Sequence, residues 1–261
     1  MAFKRSARLP SPQAKLIAGD RRAYSGRLRR AGHVLRVEGI RSLLCLLGRK
    51  LIAPVVQCGS VVFFMRKTDG ALPSAGDNEE VKVRLASPRD LPALLEACDQ
   101  TRSEALLSAR FERGDFCFAA VHPSGKIAHC RWLSTHRTYI PELARDVVLS
   151  PGEAYFYDGY TRRDMRRHSV DGTVRCYIFS WLRAHGFKRA YSYACADNFA
   201  GIKAARRWQT PVGRVFYLRP RGFGTFVFGR RAADLPLLAR PTGGAAAGEP
   251  ALDRRRAHGG A

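Results

Sequence analysis

Acidic residues are scarce in this chain of 261: 22 Asp and Glu stand against 45 Lys and Arg, a formal charge of +23. Such a field favours polyanionic over cationic partners: nucleic acid, an anionic membrane face, an acidic carrier protein or a phosphate-rich cofactor. A GC-rich coding sequence, which inflates Arg and Ala, accounts for the excess equally well. Long apolar runs are missing too, and none reaches the roughly 18 residues that a spanning helix needs. The opening MAFKRSARLPSPQ has no apolar stretch ahead of a small-residue cleavage site. The expectation is a cytoplasmic protein. No CxxC pair occurs among the seven cysteines (Cys45, Cys58, Cys98, Cys117, Cys130, Cys176, Cys195), which read as buried free thiols in a reducing compartment. His122 falls in a turn, and His129 and His136 lie on a strand at unmatched spacing, so no metal site is expected. Internal repeats are absent.

What the chain does contain is an alternation of short elements between two polar ends. Residues 1–27 are basic and rich in turn formers, and read as disordered. From 28 to 53, Leu35, Ile40, Leu43, Leu44, Leu47 and Leu51 recur at three- and four-residue spacing among arginines, the pattern of an amphipathic helix. That helix either packs on a sheet or lies on an anionic membrane surface, which would make the protein peripheral to the inner membrane face. Pro54 ends it, and VVQCGSVVFFMR (55–66) is an extra strand. Residues 68–79 read as a linker, followed by a domain over 80–230 and a disordered tail over 231–261.

Within that domain a strand at 81–86 leads to a helix capped by Ser87 with Pro88 at its first position. A helix over about 103–113 follows. Strands come next at 116–121, 126–138 and 153–161, then a helix at 170–184, a strand at 189–195, a helix at 198–208 and a hairpin of 212–218 with 225–228. The order predicts a mixed α/β (α+β) fold: a mostly antiparallel sheet flanked by helices.

The stretch Arg166-Arg167-His168-Ser169-Val170-Asp171 lies between a strand and a helix, and fifteen residues separate Asp171 from Gly186. The next strand runs into Asn198-Phe199-Ala200-Gly201, and VGRVFYLRPRGFGTFVF closes the domain. In element order, in this loop with Arg at its lead position, and in that helix-opening Asn, residues 80–230 resemble the GNAT (Gcn5-related N-acetyltransferase) superfamily. Ser169 and Asp171 stand where the family usually has Gly or Ala, and Trp208-Gln209 where most members have Gly-Phe, so the acyl-CoA loop is degenerate.

The loop's physics holds apart from the resemblance. A strand that ends in a tight turn and opens a helix aims backbone N–H groups at one spot with the helix dipole behind them, which suits a diphosphate. Asp171 brings a carboxylate there; either a neighbouring Arg neutralises it or it serves as a helix-start acid. The resemblance implies acetyl-CoA or a longer acyl-CoA as co-substrate, held by Tyr160, Thr161, Arg166, Arg167, His168, Ser169, Val170, Asp171, Gly172 and Asn198. It also implies a catalytic base on the fourth strand of the domain, with Asp158 as the candidate and Tyr160 beside it; the competing reading of Asp158 is an ion pair with a nearby Arg. By alternation Phe156, Asp158 and Tyr160 share one face, unless a bulge swaps the faces beyond it. The place where many members carry an acid Tyr falls on Ala204, leaving Tyr191 or Tyr193 as substitutes. The expected function is N-acyl transfer from coenzyme A to an amine. The alternatives are a catalytically silent GNAT-like binding module and a basic nucleic-acid-associated protein.

Overall fold

The computed structural model describes residues 55–73, 80–99, 101–166, 168–229 and 235–241. The expected helix over 28–53 and the polar residues before it lie outside these. Every described element belongs to one compact unit, residues 56–252. It is a mixed α/β fold, and among the described residues it has four α-helices and eleven strands. In chain order these are β1 (Val56–Lys67), β2 (Lys82–Ala86), α1 (Leu91–Ala97), α2 (Glu104–Glu112), β3 (Phe116–Val121), β4 (Ile127–Ser134), β5 (Arg137–Ile140) and β6 (Arg145–Val148). There follow β7 (Glu153–Thr161), α3 (Val170–Ala184), β8 (Arg189–Cys195), α4 (Phe199–Arg206), β9 (Thr210–Pro220), β10 (Phe226–Phe228) and β11 (Leu237–Ala239).

The main sheet runs β10-β9-β1-β8-β7-β4-β3-β2, and all its pairs are antiparallel except β7–β8. Taken from β2 onward, the order of elements is the GNAT-like one expected, with one large difference. β1, expected ahead of a linker and outside the domain, is an interior strand: it pairs with β8 from Val61↔Cys195 to Lys67↔Arg189 and with β9 from Val56↔Pro220. Its sequence explains the burial. Val61, Val62, Phe63 and Phe64 are apolar on both faces, as an interior strand must be and an edge strand need not be.

Two further differences concern a second, three-stranded sheet, β11-β6-β5. The strand expected over 126–138 is interrupted after Ser134, and its second part turns away to pair with β6. Residues 237–239, expected within a disordered tail, form β11 against β6, from Leu237↔Val148 to Ala239↔Asp146.

The main sheet buries both faces. On one, α3 sets Val170, Val174, Ile178, Phe179 and Leu182 against Phe118, Ala154, Phe156 and Ala190. Gly186, at φ +75°, follows the end of α3 in the left-handed conformation that only Gly adopts without cost. α4 covers Val62, Phe64 and Ala194 on this same face, further along the sheet. On the other face α1 and α2 pack over Cys117, Ala119, Cys130 and Trp132. Beside them Ile140, Leu143 and Val147 of the small sheet cover Val61, Phe63, Tyr155 and Tyr191. Each large side chain so buried contributes roughly 1.5–3 kcal/mol. Cys98, Cys117 and Cys130 are buried free thiols; Cys58, Cys176 and Cys195 are free and half-buried. No helix among the described residues is long and apolar enough to cross a membrane, and no cluster of metal-ligating side chains occurs among them.

Candidate functional site

β7 and β8 run parallel but pair over only three residues, Glu153↔Arg189 to Tyr155↔Tyr191. Beyond them β7 follows β4 to Thr161 while β8 follows β1 to Cys195. The two strands therefore separate in the middle of the sheet, leaving backbone N–H and C=O groups without a strand partner across the gap.

The gap is flanked by a β-bulge. Cys130 pairs with Tyr160 and Trp132 with Tyr157, so Arg131 faces both Asp158 and Gly159. Asp158 takes φ +41°, in the left-handed region. The bulge turns the strand over: Phe156 packs under α3, whereas Tyr157 and Tyr160 both pack on the α1–α2 side. Strict alternation, which put Phe156, Asp158 and Tyr160 on one face, is corrected accordingly. A side chain at Gly159 would strike the Arg131 guanidinium, with its Cβ 2.6 Å from Arg131 Cζ. Glycine there lets Arg131 cross the bulge.

Arg131 crosses it to reach α3. Its Nη2 lies 2.5 Å from Asp171 Oδ1, and Arg175 Nε, one helical turn along α3, lies 2.9 Å from Asp171 Oδ2. Both guanidiniums thus neutralise the Asp171 carboxylate. Burial pushes the Asp171 carboxyl upward, but Arg131 and Arg175 outweigh it and hold it far below the usual range. Burial, with Arg131 nearby, lowers Arg175 to about 10 despite its bond to Asp171. One carboxylate between two guanidiniums leaves the cluster a net cation. Arg175 is 5% exposed, and its Nη1 and the Nε of Arg131 are buried with no hydrogen-bond partner among the described residues. His129 completes the cluster: Nδ1 is 2.7 Å from Thr161 Oγ1 and Nε2 is 3.5 Å from Asp171 Oδ1. Burial drives its pKa down to about 3, so it is neutral at pH 7.

The loop itself presents Arg166, His168 and Ser169 to solvent, and Arg167 lies outside the described residues. Ser169 is the residue before α3 and takes φ +56°, a conformation that Gly would hold with less strain. Val170 is buried in the core, and the Gly172 and Thr173 N–H groups donate to the Ser169 carbonyl. Asn198 Oδ1 accepts from the Gly201 N–H at 3.0 Å and caps α4.

On the opposite face Asp158 is held by two arginines. Arg102 Nε donates to Oδ2 at 2.8 Å, Arg102 Nη2 to Oδ1 at 2.5 Å, and Arg110 Nη1 to Oδ2 at 2.6 Å. Arg110 is 2% exposed and lies over the rings of Trp132 and Tyr157. Burial raises the Asp158 carboxyl, but the guanidiniums pull it far below its ordinary value. A carboxylate so stabilised in its charged form is a poor proton acceptor. The ion pair, the competing reading of Asp158, is the geometry found. Tyr160 donates to Asp99 Oδ2 at 2.5 Å, and Asp99 also pairs with Arg163 at 3.0 Å.

Sequence reasoning missed Glu142. It lies in the turn between β5 and β6 and accepts from Tyr193 Oη at 2.7 Å and from Cys195 Sγ at 3.6 Å. Tyr193 is on β8 beyond its last pairing with β7, with its ring stacked on Tyr155. Glu142 therefore faces the gap from the small sheet. Glu153, the other carboxylate on β7, is 6% exposed and occupied by Arg189, Tyr191 and the Ser150 N–H.

No protein-family model and no curated protein sequence matches the chain. Solved structures do resemble it, and many are GCN5-related N-acetyltransferases. The one from Sphaerobacter thermophilus is 16% identical, with a TM-score of 0.47 over 70% of this chain and 57% of that one. The one from Kribbella flavida is 13% identical, with a TM-score of 0.45 over 68% and 64%. A GNAT family N-acetyltransferase from Escherichia coli, solved in complex with CoA, is 15% identical, with a TM-score of 0.34 over 47% and 63%. The chain spans less than two thirds of the length of these structures. Likeness at this level carries no site residue and no substrate across.

Proposed function

We propose that the protein is an acyltransferase that binds a coenzyme A thioester at the gap between β7 and β8 and passes the acyl group to an amine. The observation that carries this reading is the buried cationic cluster at the start of α3. Arg131 and Arg175 set two guanidiniums against the single carboxylate of Asp171 beside a helix N-terminus, a net positive charge that favours a phosphate there. Arg166, Ser169 and the backbone at Val170 and Asp171 complete the diphosphate cradle. The residues present fit the group: the one misplaced charge, Asp171, is neutralised twice over.

The thiol-linked arm would follow the gap, where unpaired backbone groups of β7 and β8 can bond its amides. Transfer then requires an amine held against the thioester carbonyl, a positioning effect worth up to ~7–11 kcal/mol. The new C–N bond forms as the C–S bond breaks. The amine proton passes to a base on the small-sheet side and is returned from there to the departing sulfur, so the cofactor leaves as its thiol with no net proton change. Glu142 is the carboxylate suited to receive that proton, with Tyr193 bonded to it; burial and Glu142 raise the Tyr193 pKa and keep the phenol protonated.

A second reading, ligand binding without turnover, is favoured by the pairing of Asp158 and by Ala204 where an acid Tyr would stand. Calorimetric titration with acetyl-CoA and longer acyl-CoAs tests both readings. Absence of heat and of any thermal shift at millimolar ligand rules out coenzyme A binding altogether. Binding without thiol release, over a panel of amines, selects the silent module.

A further inference from the structure

The described residues expose nine large hydrophobic side chains, and five of them sit on one hairpin: Phe216, Leu218, Phe223, Phe226 and Phe228. Phe226 pairs with Leu218 and Phe228 with Phe216, so these four share one face of β9–β10. Tyr217 and Val227, which alternate with them, point the other way into the core beside the small sheet. The apolar four lie on the face that α4 covers further along the sheet, over β1 and β8. Phe223, 71% exposed, stands at the tip between Gly222 and Gly224. Contiguous exposed apolar surface of this kind marks a docking site.

Charge identifies what docks. Residues 199–229, which build α4 and the hairpin, contain Lys203, Arg206, Arg207, Arg214, Arg219 and Arg221 and no Asp or Glu at all. Arg214 is exposed and shares the apolar face, and Lys203, Arg206 and Arg207 are exposed on the neighbouring α4. Beside the edge strand β10, Arg145 and Arg240 line an open depression with Phe226 and Phe228. Apolar side chains with cations beside them, on a stretch of chain that carries no carboxylate, complement a surface that is apolar within and anionic at its rim. A bilayer with anionic headgroups has that profile. A nucleic-acid duplex offers the charge but keeps its bases stacked away from five apolar side chains, and a second copy of this hairpin would bring like charges together.

We propose that this face of the β9–β10 hairpin, with Phe223 at its tip, docks the protein on an anionic lipid membrane, the phenylalanines entering the headgroup region and the arginines meeting the phosphates. The proposal is independent of the acyl-transfer reading and of the helix expected over residues 28–53.

The test uses the full chain and two variants. Phe223→Trp places a reporter at the tip, read as the difference from the parent protein, whose Trp132 and Trp208 are buried and whose Trp181 is half-buried. With vesicles of phosphatidylcholine and phosphatidylserine carrying brominated acyl chains, the added emission is expected to shift to the blue and be quenched. With phosphatidylcholine alone it is expected to do neither. Phe223→Ser/Phe226→Ser alters exposed side chains and is expected to keep the melting temperature while lowering partition onto the anionic vesicles about tenfold or more. An unquenched tip tryptophan overturns the proposal, even if the protein floats with vesicles by another segment. So does quenching that ignores the anionic lipid. Two further outcomes also overturn it: loss of duplex DNA binding in the double variant with lipid partition unchanged, or a parent dimer that the double variant dissociates.

Discussion

Replacing Asp158 by Asn separates a structural carboxylate from a catalytic one. The change is nearly isosteric, and Asn tolerates the left-handed backbone at this position, φ +41°, at least as well as Asp. What it removes is the charge between Arg102 and Arg110, whose side chains are 13% and 2% exposed. Removing one partner of a buried ion pair costs about 3–5 kcal/mol because the other charge is left uncompensated. Asn keeps one acceptor oxygen, so the low end, about 3 kcal/mol, is expected. For a domain of this size each kcal/mol lowers the melting temperature by about 2–4 °C, which gives a fall of about 6–12 °C. Calorimetry and urea unfolding read it directly. A second variant carrying Arg110→Met as well is expected to recover part of the loss. The more deeply buried of the two stranded cations is then gone, and Met still fills the space over Trp132 and Tyr157. Strict additivity of the two changes, or a single variant that melts within a degree or two of the parent, would refute the reasoning. A stable Asp158→Asn protein whose turnover falls by ~10²–10⁴-fold would return Asp158 to the role of base.

The His129 pKa, depressed to about 3 from 6.5, makes stability pH-dependent. The unfolded chain takes up this proton near pH 6.5 and the folded one does not, so stability should fall between pH 6.5 and about 3, by up to about 1.4 kcal/mol per unit. A His129→Asn protein should show a flatter melting profile over that window. Asp171→Asn should destabilise by about 3 kcal/mol, at the low end for a broken pair because its side chain is 31% exposed. Added pyrophosphate should restore more melting temperature to this variant than to the parent; equal gains would dissociate the cluster from anion binding. A chain starting at residue 54 should fold, whereas one starting at 68 should not, since it lacks an interior strand; circular dichroism and cooperative melting separate the outcomes.

The helices over the sheet were legible because their signals are local. Val174, Ile178 and Leu182 recur at helical spacing, and Gly186 terminates α3 where a left-handed residue is needed. Asn198 announced α4, which it caps. What stayed hidden is non-local. Arg102 and Arg110 lie some fifty residues from Asp158, and in a chain with 45 basic side chains nothing singles them out. Arg175 could have been found, since it stands four residues after Asp171 on a helix, the spacing of a surface pair. Glu142 could not, because its partners Tyr193 and Cys195 come to it only through the small sheet, whose strands are too short to show a period. The bulge at Asp158 was expected only through the resemblance, and no residue type forces it.

An interior first strand also fixes a timetable for synthesis. Val61 and its partner Cys195 leave the ribosome roughly 130 residues apart, a delay of about 7–27 s at about 5–20 residues per second. Throughout that interval VVFFM is an apolar strand with neither neighbour yet made. The nascent chain must therefore carry a ready aggregation nucleus until β8 and β9 emerge to close over it, and output in the cell should depend on how well chaperones shield that segment.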